Sequence, residues 1–317
     1  MPARLRFVMI MNKRMQEDFR MQKTSNAEQI EKRAKGRRIW RRIGIWMLLI
    51  LLFFAMAYGA NNRIEVTKYT YETDALSVSF NGFRIVHLTD LHNKVFAEEN
   101  EALLREVRAL EPDIIVLTGD FIDASNHTNV EDALLFMRQI PEVAPTYYVY
   151  GNHEHYLSKE VLSSFEEKIK EYGVHFLYNE TVQIESQTGQ TLSLIGLDDL
   201  SLQANILKTL ADEAPDDFQI LLAHEPQYLR TYYAETGVDL VFSGHAHAGQ
   251  WRIPFTHQGL YAPDQGFLPE FTDGVYTEGD TTMYLSRGLG NSGFPLRLFN
   301  HPEIVCVTLQ TVSADPS

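Results

Sequence analysis

Side chains that can bind metal ions or transfer protons recur at five points of the 317-residue chain. Each point is a short apolar run that ends in His, Asp or Asn: LTDLH, LTGD, YGNHE, LLAHE and FSGHAHAG. One Asp-x-His pair alone is typical of an ordinary turn, but five such endings in order predict one shared site. The chain has a single cysteine outside these runs. The donor set therefore favours divalent ions held by oxygen and imidazole over a zinc–thiolate site. The candidate residues are Asp90, His92, Asp120, Asn152, His153, His224, His245 and His247.

The apolar runs predict the strands of an α/β fold. Strands are expected at Arg84–Leu88, Asp113–Leu117, Tyr147–Tyr150, Leu192–Gly196, Gln219–Ala223 and Asp239–Phe242. Helical patterns fall between them, at Glu98–Leu110, Val130–Ile140, Lys159–Tyr172, Ala204–Ala211 and Pro226–Glu235. Further strands are expected near Thr181–Glu185 and from Thr282 onward, whereas the aromatic, Gly- and Pro-containing segment 254–280 predicts no regular element. Ligands of open α/β sheets gather at the carboxyl ends of the strands, where the candidate residues fall.

These residues resemble the calcineurin-like metallophosphoesterases. The family's ordered blocks are D-x-H, G-D-x-x-D, G-N-H-[DE], H and G-H-x-H, and all five occur between residues 90 and 247. The resemblance implies a four-layer α/β/β/α sandwich with a binuclear metal centre bridged by Asp120. It further implies that Asp90, His92 and His247 complete one ion site and that Asn152, His224 and His245 complete the other. The resemblance also implies that His153 is the catalytic residue, which lies near the phosphate and is not a metal ligand.

Two divalent ions suit the hydrolysis of a phosphoester. They clamp the anionic phosphoryl oxygens and acidify a water, which removes the need for a Ser or Cys nucleophile. The carboxylate of Asp120 has two oxygens with which to bridge, and Asn152 supplies a neutral carbonyl oxygen. His153 can protonate the leaving group, and Cys306 in its apolar run is expected to be inert. The donor set leaves Mn, Fe, Zn, Ni and Co open.

Other polar residues near the five runs are weaker candidates. Asp123 and Glu154 can orient histidines of the site, or they are solvated loop acids. His155 and His127 are expected to be surface histidines. Arg287 and Arg297 suit either a phosphate or a structural ion pair. Together with Gln250 and Asn291, the segment around Arg287 resembles exported or membrane-anchored bacterial members of the family.

The N-terminal part of the chain differs in charge from the rest. Residues 1–42 hold 13 Lys and Arg against four acids, residues 43–60 are uncharged, and residues 61–317 hold 15 bases against 38 acids. This pattern predicts a basic cytoplasmic head, a single transmembrane helix at 43–60 and a catalytic domain at 61–317 outside the membrane. Ala55-Met56-Ala57 also fits a signal-peptide cleavage site, so an exported, cleaved form is the alternative. The acidic domain predicts no nucleic-acid-binding surface.

The leading functional hypothesis is a membrane-anchored phosphodiesterase. Its expected partners are a phosphoester, which can be a lipid or another cell-envelope component, and the membrane that holds the N-terminal helix. One alternative is a lipid-linked pyrophosphatase that resembles UDP-2,3-diacylglucosamine hydrolases, with segment 254–280 receiving an acyl chain. The outer location predicted by the positive-inside rule disfavours it. A second alternative is a metal-bearing scaffold without catalysis, which would not need every ligand together with His153.

Overall fold

The computed structural model describes residues 3–124, 130–198, 205–213, 217–256 and 258–312. The chain forms two compact units, Met1–Met56 and Ala57–Ser317. The predicted division into head, membrane helix and catalytic domain at residues 42 and 60 stays a prediction about the organisation of the chain.

The first element is a single long helix, α1, Ala3–Asn62. Its section Lys13–Asn62 is long and apolar enough to cross a membrane, and it includes the predicted span 43–60. Trp46, Leu51 and Phe54 are each about two-thirds exposed, whereas the apolar stripe of a core helix is buried. A membrane helix and a signal sequence near the N-terminus share this character.

The first sheet follows α1. Its strands are β1, Glu65–Thr73, β2, Arg84–Leu88, β3, Ile114–Thr118, β4, Thr146–Val149, β5, Val174–Phe176, and β14, Glu303–Thr311. They lie in the order β1-β14-β2-β3-β4-β5. Strands β2 to β5 are parallel, and β14 pairs antiparallel with β2. The helices between the strands are α2, Glu101–Ala109, α3, Val130–Gln139, and α4, Lys159–Glu171.

The second sheet is built from the later part of the chain. Its strands are β6, Glu180–Glu185, β7, Thr191–Gly196, β8, Gln219–Leu222, β9, Leu240–Ser243, β12, Gly274–Glu278, and β13, Thr281–Leu285. They lie in the order β12-β13-β9-β8-β7-β6, with β7, β8, β9 and β13 parallel. Helix α5, Ile206–Asp212, follows β7, and the short strands β10, Tyr261–Ala262, and β11, Gly266–Phe267, form a hairpin.

Both sheets bury both faces, because neighbouring residues of one strand enter different hydrophobic clusters. In β2, Val86 packs with side chains of α2, α3 and α4, whereas Ile85 packs with residues of the second sheet such as Ile220. In β8, Leu221 belongs to a third cluster with residues of α5. Buried parallel strands read as continuous apolar runs, which explains why the sequence located them.

The six predicted strands are confirmed, with ends shifted by at most one residue. Two predictions need correction. The segment 254–280 contains the β10–β11 hairpin and the whole of β12, because it pairs with itself and with β13. The stretch Pro226–Glu235 is not a regular α-helix but a succession of 3₁₀ and π turns, Pro226–Tyr228, Leu229–Tyr233 and Ala234–Thr236. Of the predicted helix Ala204–Ala211, Ala204 lies outside the described residues.

Candidate metal centre

The eight candidate residues come together beyond the carboxyl ends of five parallel strands, β2, β3 and β4 of one sheet and β8 and β9 of the other. Backbone hydrogen bonds join the loops across the edge: the amide of Asp90 donates to Gly119 O at 3.0 Å, and that of His92 donates to Asp120 O at 3.0 Å. The amide of His245, after β9 of the second sheet, donates to Asp90 Oδ2 at 3.0 Å, so both sheets contribute to one site.

One group of ligand atoms that can hold a metal ion consists of Asp90, His92 and His247. His247 Nε2 lies 3.3 Å from Asp90 Oδ1 and 3.1 Å from His92 Nε2. All three side chains are buried. These are the residues assigned to one ion by the family resemblance.

A second group consists of Asp120, His224 and His245. His224 Nε2 lies 3.2 Å from Asp120 Oδ2 and 3.1 Å from His245 Nδ1. Asp120 Oδ2 also lies 3.7 Å from His92 Nε2 of the first group, so one carboxylate oxygen faces both. Asn152 Oδ1 is buried and accepts no hydrogen bond from any residue that the structure describes. A buried carbonyl oxygen without a donor fits a metal ligand.

In two histidines, a hydrogen bond from one ring nitrogen fixes the direction of the other ring nitrogen, which faces the site. His224 Nδ1 donates to Thr118 O at 2.7 Å, which turns Nε2 toward Asp120. His245 Nε2 donates to Asp264 Oδ2 at 2.8 Å, which turns Nδ1 toward His224. A ligating histidine commonly donates its other N–H in this way. Two nitrogen lone pairs thus face one another, an arrangement that a cation between them would stabilise.

Burial and neighbouring charges shift the protonation of the site. Burial lowers the pKa of His92 to about 3, and burial followed by the charge of His92 lowers that of His247. Burial alone would raise the pKa of Asp120, but His224, His92 and His153 hold it well below its usual value. Neutral imidazoles around an ionised carboxylate are the state in which both bind metal ions.

The backbone of the site adopts strained conformations. Asp90, His92, Asp120, His245 and His247 all have positive φ, between 47° and 66°. Such values are uncommon outside glycine and cluster at functional sites. The glycines that precede Asp120 and His245 serve the loops in different ways. Gly119 has φ 82°, but Gly244 is required by close approach, since a Cβ there would lie 2.4 Å from Asp90 Oδ2.

His153 lies beside both groups. Its ring is within reach of His92 and Asp120 as a further possible ligand set, so geometry alone does not separate a catalytic role from a metal-binding one. His153 Nδ1 lies 3.4 Å from Asp123 Oδ1, and Nε2 lies 3.4 Å from Ser292 Oγ. Asp123 thus faces the histidine that the resemblance assigns to catalysis.

Glu154 acts on the backbone and not on a histidine. Its buried carboxylate accepts hydrogen bonds from the amides of Asp120 and Gly151 on one oxygen, and from Phe121 and Ile122 on the other, at 2.9–3.2 Å. The expectation that Glu154 orients a histidine or is a solvated acid is therefore wrong. It fixes the loop that presents Asp120.

The remaining weaker candidates have structural partners. Arg287 pairs with Glu303 at 3.0 Å and Glu65 at 2.9 Å, which fits the ion-pair interpretation. Buried Arg297 donates to Gly290 O and lies 3.3 Å from His247 Nδ1. His155 is not a surface residue, since it pairs with buried Asp198 at 2.7 Å.

Three further outcomes concern the C-terminal segment and His127. Gln250 donates to Phe294 O, and Asn291 donates to Asn61 Oδ1 at 2.9 Å. Cys306 is buried in β14, and burial raises the pKa of its thiol, as expected for an inert cysteine. His127 lies outside the described residues.

Sequence reasoning missed two residues near the site. Asp264 follows β10 and reaches His245, although its segment showed only aromatic and apolar patterning. Lys94 lines a cavity with His92 and Asp123, and burial, followed by the charge of Arg297, lowers its pKa to about 7. The only sequence signal for Lys94 was its position two residues after the D-x-H block.

Comparison with known proteins agrees with this geometry. The chain is 30% identical to an uncharacterized metallophosphoesterase, YkuE, of Bacillus subtilis, over 81% of this chain and 89% of that protein. It is 34% identical to a bovine transmembrane protein with a metallophosphoesterase domain, over 77% of this chain and 57% of that protein. An NAD nucleotidase structure from Haemophilus influenzae, 14% identical with a TM-score of 0.41, covers 65% of this chain and 45% of its own, too distant to bear on activity.

The calcineurin-like phosphoesterase profile matches residues 83–249, the stretch that carries all five blocks of the site. The family uses metal ions to hydrolyse phosphoesters, and the His and Asp groups described above can hold such ions. The chain belongs to the calcineurin-like phosphoesterase family.

Proposed function

We propose that the protein is a phosphodiesterase with a binuclear metal centre. The observation that carries this proposal is the position of Asp120 Oδ2, 3.7 Å from His92 Nε2 and 3.2 Å from His224 Nε2. Those histidines belong to different ligand groups, so one carboxylate is placed to serve two ions. Asp90, His92 and His247 would hold one ion, and Asn152, His224 and His245 would hold the other. When bound, such ions polarise phosphoryl oxygens and lower the pKa of water.

The chain itself supplies an acid for the leaving group. His153 lies at the edge of the two ligand groups, 7% exposed, so it can reach a substrate while remaining oriented. The Asp123 carboxylate faces its Nδ1 and leaves Nε2 directed toward the cavity side, near Ser292. A histidine so placed can donate a proton to the departing alkoxide. This role accounts for the placement of His153, which a metal-bearing scaffold would not require.

We further infer that the enzyme is anchored by its N-terminal helix with the catalytic domain on the outer side. The supporting observations are the apolar section of α1, the basic residues that precede it and the relatives described as transmembrane proteins. Export after signal cleavage is the alternative. The four-layer α/β/β/α arrangement also remains a proposal, supported by the three hydrophobic clusters on either side of the sheets.

The test uses full-length protein stripped of metal and resupplied with Mn²⁺. We expect two Mn²⁺ per chain by elemental analysis and hydrolysis of bis(p-nitrophenyl) phosphate. His153→Ala should lower kcat by about 10²–10⁴-fold while both ions remain bound. The matched control is His175→Ala, because His175 is an exposed histidine in β5.

Three results would contradict the proposal. Absence of hydrolysis with every divalent ion would favour a scaffold. Full activity in His153→Ala would remove that residue from the mechanism. A mature protein in membrane fractions that lacks the first ~57 residues would exclude the anchor in favour of cleavage.

A further inference from the structure

An apolar cavity of about 430 Å³ adjoins the metal-binding groups. His247 lies in its wall, together with Trp251, Leu260, Tyr261 and Phe294. Its volume is that of a site for a small organic group, which proteins commonly line with apolar and aromatic side chains. A group bound there would lie next to the phosphoester that the metal centre is proposed to hold.

Exposed hydrophobic side chains line this cavity at Leu260, Tyr261 and Phe294, and others occur close by in the same two chain segments. We call them the apolar rim: Ile253, Phe255, Leu260, Tyr261, Phe267, Leu268, Phe294 and Phe299. Two chain segments carry the rim, and they are joined, because Trp251 Nε1 donates to Leu296 O at 2.8 Å and the Trp251 and Phe294 rings lie 5.1 Å apart. Large exposed apolar patches of this kind mark binding surfaces.

Charged side chains of the rim segments have polar partners, although that of Asp264 is 61% exposed. Arg252 pairs with Asp273 at 3.1 Å, and Asp264 binds His245. Arg297 is fully buried. The rim is thus uncharged among the residues that the structure describes, on a domain that holds 38 acids against 15 bases after residue 60. Such a surface suits hydrocarbon and is poorly suited to a polar or charged partner.

Residues that directly follow the apolar run 43–60 in sequence line a cavity of the domain. A second cavity, of about 590 Å³, is lined by Asn61, Asn62, His92 and Lys94, and it shares Phe294 with the first. Asn61 is the first residue after the apolar run 43–60. In the proposed anchored form the chain therefore continues from the bilayer-spanning run directly into a residue that lines the second cavity.

We propose that the substrate is a membrane-lipid phosphodiester whose hydrocarbon chain lies in the apolar cavity while its phosphate lies at the metal-binding groups. The proposal deepens the phosphodiesterase function and rests on it. A nucleotide is the competing ligand, since a base can stack on Trp251 or Tyr261. Two polar side chains of the cavity wall already have partners, however: Gln250 with Phe294 O and Ser292 with His153. Little remains to recognise the edge of a base.

The test compares diesters that differ only in the group that would enter the cavity. Full-length protein in nanodiscs, loaded with Mn²⁺, is given methyl, hexyl and thymidine 5′ esters of p-nitrophenyl phosphate. We expect the hexyl ester to exceed the methyl ester at least about tenfold in kcat/KM, which needs burial of only two or three methylenes. In Leu260→Gln and Phe294→Gln the hexyl-to-methyl ratio should fall below about three. Val78→Gln, an exposed apolar position outside the rim, is the matched control and should keep the wild-type ratio.

The outcomes separate this inference from the function on which it rests. Equal turnover of the methyl and hexyl esters, or an unchanged ratio in both cavity variants, would overturn the lipid assignment while leaving a phosphodiesterase. Preference for the thymidine ester would assign the cavity to a nucleotide instead. If none of the three esters were hydrolysed, the phosphodiesterase function itself would fail.

Discussion

Replacement of Glu154 by Gln tests whether this carboxylate holds the Asp120 loop. Each carboxylate oxygen accepts two backbone amides, Asp120 and Gly151 on one and Phe121 and Ile122 on the other. Glutamine keeps one carbonyl oxygen and places an NH₂ group where the second oxygen was. That NH₂ then faces two N–H donors, so two hydrogen bonds are lost in a buried location.

The structure sets the size of the effect. Hydrogen bonds to a charged group contribute about 1.5–3 kcal/mol each, so loss of two predicts a fall of about 3–6 kcal/mol in the free energy of unfolding. Glu154 is fully buried, and water cannot replace the lost partners. For a domain of this size the melting temperature should drop by at least about 6 °C.

The assay is thermal unfolding of the metal-free full-length protein, followed by circular dichroism. Removing the ions first separates the stability of the loop from lost metal binding. Glu167→Gln, at an exposed position on α4, is the matched control and should melt as wild type does. A decrease below about 2 °C in Glu154→Gln would refute the assignment, because it would show that the four amides do not depend on the second oxygen.

Three further substitutions test the metal centre. Asp264→Asn should weaken binding of the Mn²⁺ assigned to the group with His245 by about 10–100-fold in calorimetric titration, because His245 loses its charged acceptor. The control Asp273→Asn, in the same segment, should leave this affinity unchanged. If Asp264→Asn bound Mn²⁺ as tightly as wild type, Asp264 would be dispensable for metal binding. Asp120→Asn should retain fewer than two ions per chain by elemental analysis, since the atom facing both groups loses its charge, and full occupancy would contradict the bridge. Gly244→Ala should lower the free energy of unfolding by about 1–3 kcal/mol, because its Cβ would lie 2.1 Å from Thr89 Oγ1. In the control Gly59→Ala the new Cβ meets no atom within 4 Å, so this substitution should not lower the free energy of unfolding. If Gly244→Ala were as stable as wild type, Thr89 would have to move aside without cost.

The convergence of the candidate residues at one edge could be predicted from sequence because they follow buried strands. A parallel strand covered on both faces is a continuous apolar run, and its end is where polar residues begin again. Asp90 after β2 and His224 after β8 are therefore visible as local changes of composition. The topology of α/β sheets then brings such ends to one edge without further information.

Other parts of the fold depend on contacts that leave no local trace. Strand β14 lies between β1 and β2, pairing residues more than 200 positions apart, such as Val305 with His87. The partner of His245, Asp264, comes from a hairpin whose sequence indicates only apolar surface. The role of Glu154 was also not visible, because the same glutamate at the same position of the sequence could bind backbone amides or orient a histidine.

The strained loops explain why so many supporting contacts surround so few metal-binding atoms. Five of the eight site residues have positive φ, and each such conformation costs on the order of 1–3 kcal/mol for a non-glycine residue. The hydrogen bonds of Glu154 and Thr118 and the close approach of Gly244 to Asp90 hold these conformations before any ion is bound. Metal binding then need not order the loops that carry these residues. The geometry of the candidate metal centre thus originates in backbone contacts of the loops that follow the strands of both sheets.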